Sequence, residues 1–526
     1  MNDGSFARDS EASAATTVTN ARPSLLFLNV FLLATCGLVY ELLAGTLASY
    51  VLGDSVTQFS LVIGLYLSAM GVGAWFSRHL DEPLAARFVD VELGVALFGG
   101  LSAPMLFLAT SHVRLFPVLL YGIVAVVGIL VGLELPLLMR ILEGRVQFRD
   151  LVSRIFTFDY LGSLAASLLF PLLCVPKLGL VRTAVVFGLL NASVALWCSY
   201  LLADAIPPRR LQGLRLRAFA VLALLVGVLA GADAIVKHGE EQVYADEIVY
   251  AQSTPYQRLV VTRNRAGFQL FLNGNLQFSS ADEYRYHEAL VHPAYALRPG
   301  AKRVLVLGGG DGLAMREVLK NPSLEAATLV DIDPAMTNLP HAYPPLAQLN
   351  GHAFDDLRVT VVHDDAMAWL SESATRPRFD LAIVDFPDPN QFALGKLYTT
   401  RFYNLLRGAL TPGAPVVVQA SSPLFSREAY WCIVRTLEAA GFFARPYQAH
   451  VPSFGPWGYV LASTVPFETP THLPSWLEGQ LRFLDDPTLG ALFVIPRDLG
   501  PMEVAVNRLD NQALVRYYEN AWHRWQ

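Results

Sequence analysis

The residues of this 526-residue chain best suited to chemistry are aspartates that follow short apolar runs. Asp311 follows RVLVLGGG, Asp331 and Asp333 close ATLVDID, Asp364 and Asp365 close RVTVVHDD, and Asp385 and Asp388 lie in FDLAIVDFPDP. Apolar runs of this length, bounded by Gly or Asp, read as buried strands of a parallel sheet. The carboxyl ends of such strands line one crevice, so the acids should converge there. One aspartate after a strand is more often a turn or a helix cap. Four strand ends in succession carrying them point to a shared task. A crevice lined with carboxylates suits cationic ligands or a hard metal ion. No zinc-type spacing accompanies them, since His287 and His363 stand apart, so no metal site is expected.

Asp311 is the informative member. The glycines of GGGDG let the backbone turn tightly and approach a ligand, and a helix follows from about Leu313. A loop built to hold phosphate keeps carboxylates out of its nest of amides. The pattern therefore points to a nucleoside that carries positive charge. Asp331 lies about twenty residues beyond the turn, where an acid reaches ribose hydroxyls.

The elements that must position these groups fill the second half. RLVVTRN and GFQLFLNG read as a β-hairpin, with Asn273-Gly274 giving a second tight turn. Strands and helices then alternate, which predicts a doubly wound, Rossmann-like α/β domain with helices on both faces. The boundaries read as a β-hairpin subdomain at 243–300, a Rossmann-like domain at 301–470 and a helical tail at 471–526. The last helix is amphipathic and read as capped by Asp510.

The first half is of another kind. The chain is 53% hydrophobic and 16% charged, and the apolar excess lies before residue 237. After a polar tail at 1–22, read as disordered, seven stretches near the ~20 residues needed to cross hydrocarbon follow within 23–237: about 24–50, 57–77, 90–110, 115–139, 155–176, 181–203 and 217–236. An all-α transmembrane bundle, multi-pass in a cell membrane with the lipid bilayer as partner, is the expectation. Arginines concentrate in the even connections (Arg78 and Arg87; Arg140, Arg145, Arg149 and Arg154; Arg209, Arg210, Arg215 and Arg217). The odd ones hold Arg114, Lys177 and Arg182. The positive-inside rule then places the N-terminus and the even connections in the cytoplasm; seven spans carry the second half to the outer side, a count different by one to the inner, and the side is left open. Glu41, Glu134 and Asp159 fall inside spans, where acids usually face a bundle interior or a water-filled path. Cys36, Cys174, Cys198 and Cys432 show no metal spacing and read as buried thiols.

Taken together, Gln277-Phe-Ser-Ser-Ala-Asp282-Glu283-Tyr-Arg-Tyr286-His287-Glu288, GGGDG with Arg316-Glu317-Val318, LVDIDP, HDDAMAWL, DFPDP and Leu397-Tyr398-Thr399 resemble the spermidine synthases (polyamine aminopropyltransferases), in the family's order and spacing from about Tyr256 to Ser463. The membrane half resembles the family's multi-spanning bacterial branch. The resemblance implies transfer of an aminopropyl group from decarboxylated S-adenosylmethionine, a co-substrate, to putrescine, giving spermidine and methylthioadenosine without a cofactor. It implies Asp385 as proton acceptor and Asp388 as a holder of the diamine. Gln257 and Asp331 would hold the sulfur and ribose region, Asp365 beside Ala366 would read the adenine, Tyr286 and His287 would sit over the diamine, and Gln277 and Gln419 would line the pocket. Asp311 would pair with the donor's ammonium.

The chain departs from the family's pattern at four places. Asp331 stands for a usual Glu, Ala366 for a usual Gly, Asn390-Gln391-Phe392-Ala393 for a Gly-Pro-Ala cover segment, and Phe454 for a usual Tyr. Two other readings compete: a methyltransferase using ordinary S-adenosylmethionine, and a polyamine transporter or sensor whose nucleoside-binding domain does not turn over. No nucleic-acid partner is expected, and association with a second copy is left open.

Overall fold

The computed structural model describes residues 23–52, 55–110, 115–143, 147–372 and 377–523. The tail at 1–22, Arg114 and Arg145 lie outside the described residues. The chain divides into two compact units at Ala245/Asp246.

The first unit is all helical: α1 (Pro23–Leu52), α2 (Ser55–Phe76), α3 (Leu84–Ala109), α4 (Leu115–Leu142), α5 (Phe148–Leu169), α6 (Val175–Leu201), α7 (Pro208–Ala230) and the short α8 (Ala232–Val243). Six helical stretches are long and apolar enough to cross a membrane, and one of them, Phe148–Leu201, runs for 54 residues. At 1.5 Å per residue, 54 residues would reach about 80 Å, over twice a hydrocarbon core. Gly179, with φ 72° and ψ 175°, breaks it into two legs, which are the fifth and sixth spans read from the sequence. Side-chain contacts order the ends of the bundle. Arg140 at the end of α4 donates to Ser77 O (2.7 Å) and Leu80 O (3.1 Å) past α2, and Arg217 of α7 pairs with Asp90 of α3 at 2.7 Å. Arg182, just after the Gly179 break, meets Asp233 beyond the far end of α7 at 2.6 Å. Even connections thus gather at one end and the break at the other, so the helical unit has seven long legs. All four cysteines are buried free thiols.

The second unit begins with a four-stranded antiparallel sheet, β1 (Glu247–Ser253), β2 (Arg258–Asn264), β3 (Gly267–Leu272) and β4 (Asn275–Ser279), so the expected hairpin β2–β3 gains a strand on each side. Asn273 and Gly274 turn β3 into β4 with φ of 49° and 82°, the left-handed pair a two-residue hairpin turn needs. Then follow α9 (Glu283–Leu297), β5 (Arg303–Gly308), α10 (Leu313–Val318), β6 (Ala326–Asp331), α11 (Pro334–Ala342), α12 (Pro344–Leu349), β7 (Val359–His363), α13 (Ala366–Ser371), β8 (Leu381–Asp385), α14 (Phe392–Gly395), α15 (Thr400–Ala409), β9 (Pro415–Gln419), α16 (Arg427–Ala439), β10 (Phe443–Val451), β11 (Gly455–Ser463), α17 (Asp486–Leu492) and α18 (Ala513–His523).

The larger sheet has the order β10-β11-β9-β8-β5-β6-β7. Its five strands from β9 to β7 are parallel, while β11 runs antiparallel to β9 and β10 antiparallel to β11. The apolar run Val304–Leu307 of β5 shows why: Leu305 and Leu307 pack with α13, α15, α16 and α18 on one face, Val304 and Val306 with α9 and α10 on the other. A strand buried on both faces has no polar alternation. α9 therefore belongs to the core of the larger sheet, though the sequence grouped it with the hairpin. β10 was absent from that reading because Pro446 and three charged or polar residues interrupt it; as the outermost strand it tolerates the proline. The small sheet packs Leu259, Val261, Leu270 and Phe278 onto Leu313, Met336, Leu339 and Leu346 of α10, α11 and α12. The start of α18 corrects the expected cap. Asn511 accepts from Ala513 N and Asn507 from Leu514 N, so Asp510 does not perform it.

Candidate active site

The chain leaves β5 toward β6 and β7, then returns to place β8 on the other side of β5. Strand order reverses there, and a crevice opens at the carboxyl ends. Gly308 and Asp385, the last residues of β5 and β8, are register partners across it. The crevice is a cavity of about 480 Å³, roofed by the small sheet and by the segment around α14. All eleven residues to which the family resemblance gives a place in the site line it: Gln257, Gln277, Tyr286, His287, Asp311, Asp331, Asp365, Ala366, Asp385, Asp388 and Gln419.

The glycine turn is shaped by the aspartates themselves. Gly308, Gly309 and Gly312 hold φ of 78°, 67° and 81°. A Cβ on Gly308 would lie 2.3 Å from Asp385 O, and one on Gly310 would lie 2.6 Å from Asp331 Oδ2. Gly309 N donates to Asp385 O (3.1 Å) and Gly310 N to Asp331 Oδ2 (3.1 Å). Gly308→Ala is thus expected to cost about 1–3 kcal/mol of stability from the backbone conformation alone, and to push Asp385 out of place. Thermal unfolding checks this, and an unchanged melting temperature would contradict it.

Four carboxyls converge, Asp311 buried and Asp331, Asp385 and Asp388 half-buried. Burial pushes Asp385 up to about 6, with Asp311 adding to the shift, while His287 and the hydrogen bond from Tyr286 oppose it. That bond, Tyr286 Oη to Asp385 Oδ1, is 2.7 Å. Burial likewise pushes Asp388 up to about 6 against the hydroxyl of Tyr518, Gln419 and Ser421. Among the described residues Asp388 Oδ1 has no hydrogen-bond partner, although Ser421 Oγ donates to Oδ2 at 3.3 Å. Asp331 also reaches about 6, mainly through burial. Burial raises Asp311 too, whose Oδ1 accepts from Leu313 N at 2.9 Å.

Other strand-end acids are committed elsewhere. Asp333 accepts from Ala335 N as the cap of α11, and from Thr254 Oγ1 (2.9 Å) and Gln257 Nε2 (3.0 Å). It fastens the small sheet and does not line the cavity. Asp365 caps α13 through Met367 N and Ala368 N, and its Oδ2 pairs with Lys396 at 2.6 Å. Gln419 is spent on the DFPDP segment: its Nε2 donates to Phe386 O and Tyr398 Oη, and its Oε1 accepts from Ser421 N.

His287 Nδ1 lies 2.8 Å from both Glu283 O and Glu283 Oε2, which assigns its proton to that side and leaves Nε2 for the cavity. Glu283 is itself held by both terminal nitrogens of Arg316 (2.9 and 3.0 Å), Arg316 Nε meets Glu317, and Glu317 takes His292 and Lys320. Arg316 and Glu317 therefore buttress the wall and do not line the cavity. Sequence reading missed Lys396, Trp457 and Tyr518, all of which line it. The Trp457 ring lies tilted against Phe454, centroids 5.0 Å apart, and its buried Nε1 has no hydrogen-bond partner among the described residues. Tyr518 comes from α18, and no local signal marks it.

Residues 283–469 match the model of the spermine/spermidine synthase domain. A polyamine aminopropyltransferase of Leptospira interrogans is 48% identical over 95% of this chain and 99% of its own length. Polyamine aminopropyltransferase 2 of Ralstonia nicotianae is 52% identical over 96% and 99%. A spermidine synthase solved with the transition-state analogue AdoDATO aligns at 26% identity and a TM-score of 0.45, over 48% of this chain and 87% of that one. With relatives of this identity matched along nearly their whole length, helical half included, the chain belongs to the polyamine aminopropyltransferase (spermine/spermidine synthase) family.

Proposed function

We propose that this protein is a membrane-anchored aminopropyltransferase that moves the aminopropyl group of decarboxylated S-adenosylmethionine onto putrescine, releasing spermidine and methylthioadenosine. The observation that carries the reading is the row of carboxyls Asp331, Asp311, Asp385 and Asp388 along one nucleoside-sized cavity, Asp311 buried and the others half-buried. The acceptor nitrogen attacks the methylene next to the sulfonium, the C–S bond breaks with its electrons on sulfur, and methylthioadenosine leaves. The attacking amine must be neutral, yet a free alkylammonium has a pKa near ~10. Asp385, pushed up to about 6, is a carboxylate at neutral pH and a stronger base than an exposed one. The bond from Tyr286 fixes its direction. Asp388, with Oδ1 unpartnered, would hold the acceptor's other ammonium against the Tyr286–Phe454–Trp457 wall. Asp331 would take the ribose. Gln257 and Asp365 would act through the small sheet and the Lys396 latch as well as on the nucleoside.

Membrane anchoring is supported by the six helical stretches long and apolar enough to cross a membrane and by outward-facing Leu61, Leu67, Leu164, Leu172 and Phe219, all exposed apolar side chains on the helical unit. Purified protein incubated with the decarboxylated donor and a panel of diamines tests the reading. Methylthioadenosine should appear with putrescine, and no release with any amine would refute it.

A pH dependence follows. Three cavity carboxyls, Asp331, Asp385 and Asp388, take up protons as pH falls through about 6. The base and the ammonium holder are lost together, so kcat/KM should fall below about pH 6 more steeply than one proton allows. A profile flat down to pH 5 would contradict the assignment.

A further inference from the structure

The chain continues past β11, the last strand of the larger sheet, and returns to the cavity through its final helix, α18. The return is built from buried contacts. Asn507, fully buried, donates through Nδ2 to Gly395 O (3.0 Å) and Tyr398 O (3.2 Å), and its main-chain oxygen accepts from Thr400 N (3.2 Å). Its N donates to Thr436 Oγ1 of α16 (2.9 Å), and its Oδ1 accepts from Leu514 N at the start of α18 (3.3 Å). One residue thus joins the segment that covers the cavity to the two helices behind it. Helix α18 lies directly on that segment, since a Cβ on Gly395 would run into the Val515 side chain. Tyr518 follows Val515 by three residues, on the same face of the helix, and is 7% exposed. It packs in one core cluster with Leu514, Tyr398 and Phe402 and lines the cavity together with Asp388. Its hydroxyl, with Gln419 and Ser421, hydrogen-bonds the Asp388 carboxyl and restrains the rise of its pKa.

We infer that Tyr518 is a specificity-determining residue, which bounds the cavity at Asp388 and so limits the length of diamine the site takes. The inference rests on the transfer reading for one point, the place of the acceptor's far ammonium at Asp388. A carboxylate by itself attracts an ammonium at the end of a chain of any length. A ring packed beside it rejects the chain that needs room for further methylenes, because a close-packed wall gives way only at a cost. The ring is not free to swing aside: Val515 is wedged on Gly395, and Asn507 ties the covering segment to the start of the same helix. At its other end the segment is held by Lys396 on Asp365 at 2.6 Å, so the cover is fixed on both sides of the cavity. A side chain that served only to brace the fold would leave the choice between short and long diamines unchanged, and that choice is what separates the two roles.

Calorimetric binding of putrescine and of hexamethylenediamine to the methylthioadenosine-loaded full chain in lipid nanodiscs tests it. In Tyr518→Ala the preference for the shorter diamine should shrink by roughly tenfold or more, the discrimination that a methylene or two carries in a fitted pocket. An unchanged preference would overturn the inference. Tyr518→Phe keeps the ring and should retain the parent's preference; a shift equal to that of the alanine variant would move the effect to the hydroxyl and overturn the assignment. If the alanine variant does not fold, the parent decides. A putrescine analogue carrying a diazirine beside one amine should label Tyr518 on photolysis, read by peptide mass spectrometry and suppressed by excess putrescine. Labelling that spares Tyr518 would overturn it. Binding needs no turnover, so a parent that binds the diamines yet releases no methylthioadenosine defeats the transfer reading alone.

Discussion

Asp385→Asn is expected to lower kcat by about 10²–10⁴-fold, the range set by removal of a positioned base, while nucleoside affinity is kept. The change keeps the shape of the side chain, and Tyr286 can still donate to the amide oxygen where it now meets Oδ1. What disappears is the group able to take the acceptor's proton. Asp388 cannot replace it, because Ser421 and the Gln419–Tyr398 brace hold that segment in its own position. Steady-state methylthioadenosine release gives kcat, and calorimetry with methylthioadenosine gives the affinity. A variant that no longer folds would make Asp385 structural, and one that turns over normally would remove it from the mechanism.

Asp311→Asn is expected to weaken selection between donors. The decarboxylated donor presents an ammonium where ordinary S-adenosylmethionine also carries a carboxylate. A buried carboxylate at that end attracts the first and repels the second. A hydrogen bond to a charged group contributes about 1.5–3 kcal/mol, so KM for the decarboxylated donor should rise roughly 10–100-fold. Inhibition by the ordinary donor should tighten in the same variant. Neutralisation also removes one of the charges that raise Asp385, so the acid limb of the pH profile should move downward. Inhibition constants equal in parent and variant would show that selectivity lies elsewhere.

Much of this site could be read from the chain because its signals are local. Apolar β5 and β8 announce burial on both faces, and a left-handed turn packed against a neighbouring strand end admits only glycine at Gly308. The two-residue turn at Asn273-Gly274 is equally local, as is the alternation that marks β2 and β3. Other features were not legible. Asp331 and Asp333 look equivalent in LVDIDP, but one enters the cavity and the other caps α11 and holds Gln257. β10 lacks an apolar run because its edge position does not demand one. Asp510 looked like a cap, while Asn507 and Asn511 perform it.

What the sequence by itself determined is the class of each element and the set of acids at the strand ends. Burial, turn geometry and membrane length are imposed on a few adjacent residues at a time. Only the tertiary structure decided which of those acids face the ligand space. It also decided that Lys396 latches Asp365 and that Tyr518 reaches the cavity from the last helix. Each is a meeting of side chains tens to more than a hundred residues apart. Packing of whole helices and sheets sets such meetings, and no local pattern encodes them.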